Sequence, residues 1–327
     1  MTSELYFWFG FIALFIIVFS TDMYVTDHRK GRIKVKTALT WTSVWIFTAL
    51  LFGSAIYFFF PVGHEKAFEF ITGYIIEYSL SVDNLFVFIL IFTMMGIEDL
   101  HQPRILKWGI IGAVVFRILF IVAGVELIKR FNFMFYILGA VLIFTAIKMF
   151  LSKEEKIHPD HNIFVKLSKK ILNVKTDVKT DHFFVKHNHQ IFATVAFITL
   201  ILVESTDIVF AVDSIPAVLA ITQDSFIAIT SNLFAILGLR SLFFALAGIL
   251  NLFRYLKYGI SFILLFIGVK MIISGWVHIP VQTSLIVILV TLLASILASV
   301  IIKEEEEIDH HAFHEHPPKE IKDELLK

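Results

Sequence analysis

Two short strings carry the acidic side chains that could do chemistry: EYSLSVDN at 77–84 and DIVFAVDS at 207–214, with the same interval between their acids. Laid over one another, they match Glu77 with Asp207, Val82 with Val212, Asp83 with Asp213 and Asn84 with Ser214. On an α-helix, positions i, i+4 and i+7 share a face. Glu77, Ser81 and Asn84 form such a stripe, with Asp83 about 100° round from Asn84. Asp207, Ala211 and Ser214 form another, with Glu204 one turn earlier. Pro216 has no N–H to offer the carbonyl of Val212, which leaves that oxygen available as a ligand. Carboxylates, an amide, hydroxyls and a carbonyl make an all-oxygen donor set. Such sets suit hard divalent cations: Mn²⁺, Mg²⁺ and Ca²⁺.

The segments that must position these residues are membrane spans. The chain is 57% apolar and 17% charged, with a mean hydropathy of +0.81. A soluble domain has nowhere to put so much apolar surface. Nine stretches satisfy the roughly 20 apolar residues that a crossing helix needs: about 5–25, 39–60, 67–95, 109–128, 133–151, 191–221, 226–250, 255–275 and 281–302. The expected fold class is an all-α polytopic membrane protein with nine transmembrane helices. The absence of cysteine excludes a disulfide framework, iron–sulfur clusters and thiolate metal sites. Zero formal net charge gives no global field toward nucleic acid, and none is expected as a partner.

With the loop after the first span in the cytoplasm, 21 of the 28 basic residues fall on the cytoplasmic side. The positive-inside rule then predicts a multi-pass cell-membrane protein with its N-terminus outside and its C-terminus cytoplasmic. The 152–190 loop and the 303–327 tail are read as solvated connector and tail. Ile163, Leu167 and Ile171 are spaced like one face of a short amphipathic helix. Nine of the thirteen histidines fall in these two segments, a weak signal for metal capture.

The match between the acidic strings is one of three landmarks that recur in order. Phe116-Arg117 resembles Leu239-Arg240, and 136–152 lies ungapped over 258–274, placing Lys148 on Lys270. Each unit holds three spans, an odd number, so the second must enter from the opposite side. That is an inverted-topology repeat, common in secondary transporters, which bind substrate near the midplane between repeats. The expected organisation is a two-span segment at 1–66, a first repeat at 67–151 and the 152–190 loop. A second repeat at 191–275, a last span at 276–302 and the tail follow. Charges inside a bilayer are costly and rarely face lipid. Arg117, Arg240, Lys148 and Lys270 are therefore expected to balance the acids or to gate them by exchanging partners.

The strings EYSLSVDNLFVF (77–88), FAVDSIPAVLAITQDSF (210–226) and TSNLFAILGLRSLFFAL (230–246) resemble the TerC/Alx family of membrane proteins. DHRKGRIKVKTALTWTSVW (27–45) is similar to that family's first cytoplasmic loop and second span, and FRYLKYGISFILLFIGVKM (253–271) to its later repeat. The resemblance implies a place beside the LysE-type exporters and an association with manganese efflux and metal homeostasis. By position, Glu77, Asp83, Asn84, Asp207, Asp213 and Ser214 match the family's acidic motifs and are its implied metal residues. Glu204, Ser81 and Val212 are possible further metal or proton ligands.

The resulting expectation is a secondary transporter that exports a divalent cation, Mn²⁺ above others, with no resident cofactor. No G-x-x-x-x-G-K-[ST] string occurs. Moving a 2+ ion outward against about 100 mV costs about 4.6 kcal/mol, so coupling to inward protons is expected. Asp83 and Asp213 on two spans raise the idea of an intramembrane aspartyl protease, but each repeat supplies at least two acids and no GxGD string exists. No enzymatic activity is expected. The alternative is a membrane scaffold or insertion factor without transport.

Overall fold

The computed structural model of the chain describes residues 2–25, 35–131, 133–151, 174–175, 182–187, 190–246, 255–277 and 279–301. The helices are α1 (Thr2–Val25), α2 (Val35–Phe59), α3 (Gly63–Met94), α4 (Gln102–Arg130), α5 (Met134–Leu151), α6 (Val195–Leu219), α7 (Ser225–Ile236), α8 (Leu239–Leu246), α9 (Leu256–Ile273) and α10 (Val281–Ile301). Among the described residues eight are long and apolar enough to cross a membrane, and α7 with α8, bent by 40° at a short break, are together long and apolar enough for a ninth. The outer faces of the bundle expose large apolar side chains such as Ile16, Phe47 and Leu297, as lipid-facing helices must. α7 is different: Phe226 to Ile236 are all buried. A helix buried all round belongs at the centre of a bundle.

The bend follows from local chemistry. Leu237 is extended (ψ 129°) and Gly238 has φ +84°, a conformation that costs glycine nothing. A Cβ at Gly238 would lie 2.5 Å from the Trp45 ring, so α2 also needs a glycine there. In place of the single continuous helix expected at 226–250, the described residues thus form two. The hydropathy of that stretch concealed the break, because one glycine barely lowers a window average.

Three further boundaries differ from expectation. α3 begins at Gly63 rather than 67, which takes His64 and Lys66 into its first turn. α4 begins at Gln102, ahead of 109. The start of the expected 191–221 span is not helical: Gln190–Thr194 is strand β3, flanked by β1 (Val174–Lys175, parallel) and β2 (Phe184–His187, antiparallel). A short apolar run does not distinguish a buried strand from the start of a helix. Thr194 ends the strand and caps α6, its Oγ1 accepting from Phe197 N at 3.4 Å and donating to His182 O at 2.7 Å. The amphipathic stripe at 163–171 and the histidine-rich tail lie outside the described residues.

α3 packs against α6 and α7, and α4 against the same two helices. α5 lies along α9, with Gly139 and Gly268 so close that a Cβ on either would meet the other's carbonyl at 3.0 or 2.8 Å. Tyr136 meets Gly275 at one end of this pair and Phe150 meets Tyr258 at the other, so the two helices are antiparallel.

Candidate functional site

Arg117 of α4 is the organising side chain. It is 1% exposed at the centre of the bundle, where a lone charge would cost several kcal/mol. Its guanidinium pairs directly with Glu77 of α3, and reaches Asp207 of α6 at 3.3 Å and Ser214 of α6 at 3.5 Å. Asn232 of α7 completes the group, its Nδ2 donating to Glu77 Oε2 at 2.8 Å. Four helices therefore meet at one ionic cluster. It brings together Glu77, Asp207, Ser214 and Arg117, all singled out by the sequence.

Several oxygens around this cluster are buried and find no hydrogen-bond partner among the described residues. They are Ser81 Oγ, one turn from Glu77, together with Asn232 Oδ1 and Glu204 Oε2. Buried polar atoms are satisfied in the great majority of folded proteins, so three unpaired oxygens beside one ion pair are acceptors available to a cation or to water. Glu204 presses against Gly112, where an added Cβ would lie 2.1 Å from its carboxylate; glycine there is what lets the acid sit against α4. Asn84 is buried on the same helix as Glu77. Asp83, Val212 and Asp213 continue their helices, but their side chains lie outside those described. Pro216 stands within α6 as expected. Among the described residues, no three Asp, Glu or His side chains gather as a metal cage; the paired acids hold a guanidinium instead.

The other expected cations lie elsewhere. Arg240 is buried in α8 just past the break, with Asp22 of α1 as its charged neighbour and Trp45 beside that acid. Lys148 is exposed in the last turn of α5. Lys270 donates to Ser284 of α10 at 2.9 Å and lines a cavity at the end of the bundle. Sequence reasoning passed over Asn232 and Asp22. The run Thr230-Ser231-Asn232, wholly buried in mid-span, was the available signal, because polar side chains at that depth are rarely incidental.

A polytopic bundle of this kind, with a buried ion cluster shared between two acidic helices, has the architecture of an integral membrane protein. Residues 62–307 match the profile described as "Integral membrane protein TerC family". The chain belongs to the TerC family. It is 44% identical over 281 residues to "Uncharacterized membrane protein STKORF319" of Myxococcus xanthus, covering 86% of this chain and 88% of that one. It is also 40% identical over 285 residues to "Putative membrane-bound redox modulator Alx" of Salmonella typhi (85% and 88% covered). The protein of the same name in Escherichia coli (strain K12) is 41% identical over 285 residues (85% and 89%). No solved structure matches the chain significantly.

Proposed function

We propose that this protein is a secondary transporter that exports a divalent cation, with Mn²⁺ the best-suited cargo, in exchange for protons. The observation that carries this reading is the buried Arg117 guanidinium held between Glu77 and Asp207 from two different helices. Two carboxylates need two positive charges. One divalent cation supplies both, two protons supply both, and Arg117 supplies one. The guanidinium then acts as a tethered stand-in that closes the acids between cargo and protons. Glu204, Ser81, Asn84, Ser214 and the carbonyl of Val212 add oxygen donors around the pair, and Asp83 and Asp213 add charge. The packing supports the inverted repeat. If α3 exchanges with α6, α4 with the bent α7–α8 span and α5 with α9, then α3 on α7 becomes α6 on α4, and both contacts exist. In this reading the N-terminus faces outward and the C-terminus the cytoplasm.

The redox role in the printed name of the Alx relatives finds no thiol to work through in this chain, which has no cysteine. An all-oxygen core ranks ions by fit. Mg²⁺ dehydrates reluctantly and Ca²⁺ wants more ligands at longer range, so Mn²⁺ is expected to be carried in the presence of excess Mg²⁺.

The test is Mn²⁺ flux in proteoliposomes with an imposed pH gradient. Asp83→Asn, Asp207→Asn and Asp213→Asn should each abolish it while leaving membrane insertion intact, and Ser214→Ala should be milder because water can replace a neutral ligand. Wild-type protein that inserts and moves no Mn²⁺ would overturn the reading in favour of a scaffold or insertion factor.

A further inference from the structure

The bundle holds a second arrangement like the first, at the end where α3, α5 and α10 begin and α4, α6 and α9 finish. A cavity of about 750 Å³ opens there, lined among others by His64, Glu65, Glu69, Gln223 and Lys270. Glu69 is 8% exposed, an unusual depth for a carboxylate near a helix end. The Lys66 ammonium lies 2.8 Å from Glu69 Oε2 and 3.7 Å from Asp224 Oδ2, so one cation bridges acids from two elements, as Arg117 does. Thr222 donates to Glu69 at 2.5 Å, as Asn232 donates to Glu77. Asp224 is fixed by capping α7, with Oδ1 accepting from Phe226 N at 2.9 Å.

The two groups are joined. Glu69 and Glu77 lie on one face of α3, about 12 Å apart along the axis. Between them are buried Thr72 and Gly73, where an added Cβ would lie 2.9 Å from Ser231 Oγ. The shift that carries Glu77 onto Asp207 carries Glu69 onto Thr199, so this acid has no equivalent in the other repeat.

We propose that Glu69 and Asp224 form a second, weaker cation station on the exit path, where a hydrated divalent cation takes the place of the Lys66 ammonium. The side-chain exposures of Lys66 and Asp224, 22% and 27%, leave room for the ion to keep part of its water shell. The lysines around the acids keep affinity low, which suits a site from which cargo must leave. The word "exit" rests on the export reading; the station itself does not.

The chain contains no cysteine, so a single Gln223→Cys is a clean reporter inside the cavity. An impermeant maleimide should label it from outside intact cells, and added Mn²⁺ should slow the labelling. Glu69→Gln and Asp224→Asn should each remove that protection. Lys66→Gln should lower the half-protecting Mn²⁺ concentration about fivefold, the size of one partly screened charge contact, and a misfolded variant would not produce such a gain. Protection that is missing in the parent, or that survives Glu69→Gln, overturns the station. Labelling only from the cytoplasmic side overturns its place on the exit path. If Mn²⁺ protects Gln223→Cys but crosses no vesicle membrane, export falls and the station stands. If Mn²⁺ flux is present and protection absent, the reverse holds.

Discussion

The Arg117 and Lys66 clusters use the same components in different surroundings. Each holds one tethered cation between two acids, and each has a neutral side chain on or just before α7 donating to the α3 acid. The inner cluster is almost dry, with Arg117 and Glu77 at 1% and 0% side-chain exposure; the outer one opens on a cavity. Dry charges interact strongly and are expensive to leave alone, whereas wet ones are screened and weakly coupled. Identical chemistry at two depths therefore predicts a tight lock inside and a loose station outside. The choice of cation agrees. A planar guanidinium can hold two carboxylates at fixed geometry, while an ammonium is a mobile point charge.

Arg117→Leu should be the most damaging change, costing about 3–5 kcal/mol because it strands two buried carboxylates. Unfolding of the detergent-purified protein measures this, and millimolar Mn²⁺ should recover part of the loss by replacing the missing charge. Asn232→Leu should cost about 1–2 kcal/mol in the same assay, since it removes the polar donor to Glu77. Gly238→Ala should cost a similar 1–3 kcal/mol or so, through strain at φ +84° and the clash with Trp45. In the outer cluster, Thr222→Val should cost about 1 kcal/mol. Lys66→Gln should fall below about 1 kcal/mol, as expected for a partly exposed pair. Equal losses for Arg117→Leu and Lys66→Gln would refute the division into lock and station.

How far these features could be read from the sequence depends on depth. The spans were legible because twenty apolar residues have few alternatives in a folded chain. Glu77, Asp207 and Arg117 were legible because a charge in such a run has to be explained. Glu69 and Lys66 were not, because a charge near a span end has an ordinary explanation in snorkelling to the interface. Asn232 was hidden by its uncharged side chain, and only its complete burial and its bond to Glu77 show its role. The strand at 190–194 was lost because its apolar residues run straight into α6, and hydropathy does not register the hydrogen-bonding partner that β2 provides.

The close approach of Gly139 and Gly268 has a mechanical meaning. In an antiparallel pair, two turns forward along α5 are matched by two turns back along α9, which brings Ala146 opposite Ser261; both are buried. Small residues thus stand at equal distances on either side of a midpoint near Leu142 and Leu264, themselves fully enclosed. A half-turn about that midpoint exchanges the two helices and leaves the pattern of small and large residues unchanged. If the two repeats are inverted as proposed, such a seam looks the same from either face of the membrane and favours neither tilt. In the proposed transport cycle, any preference for inward or outward opening has to come from elements without a twin. Glu69, whose counterpart is Thr199, is one of them.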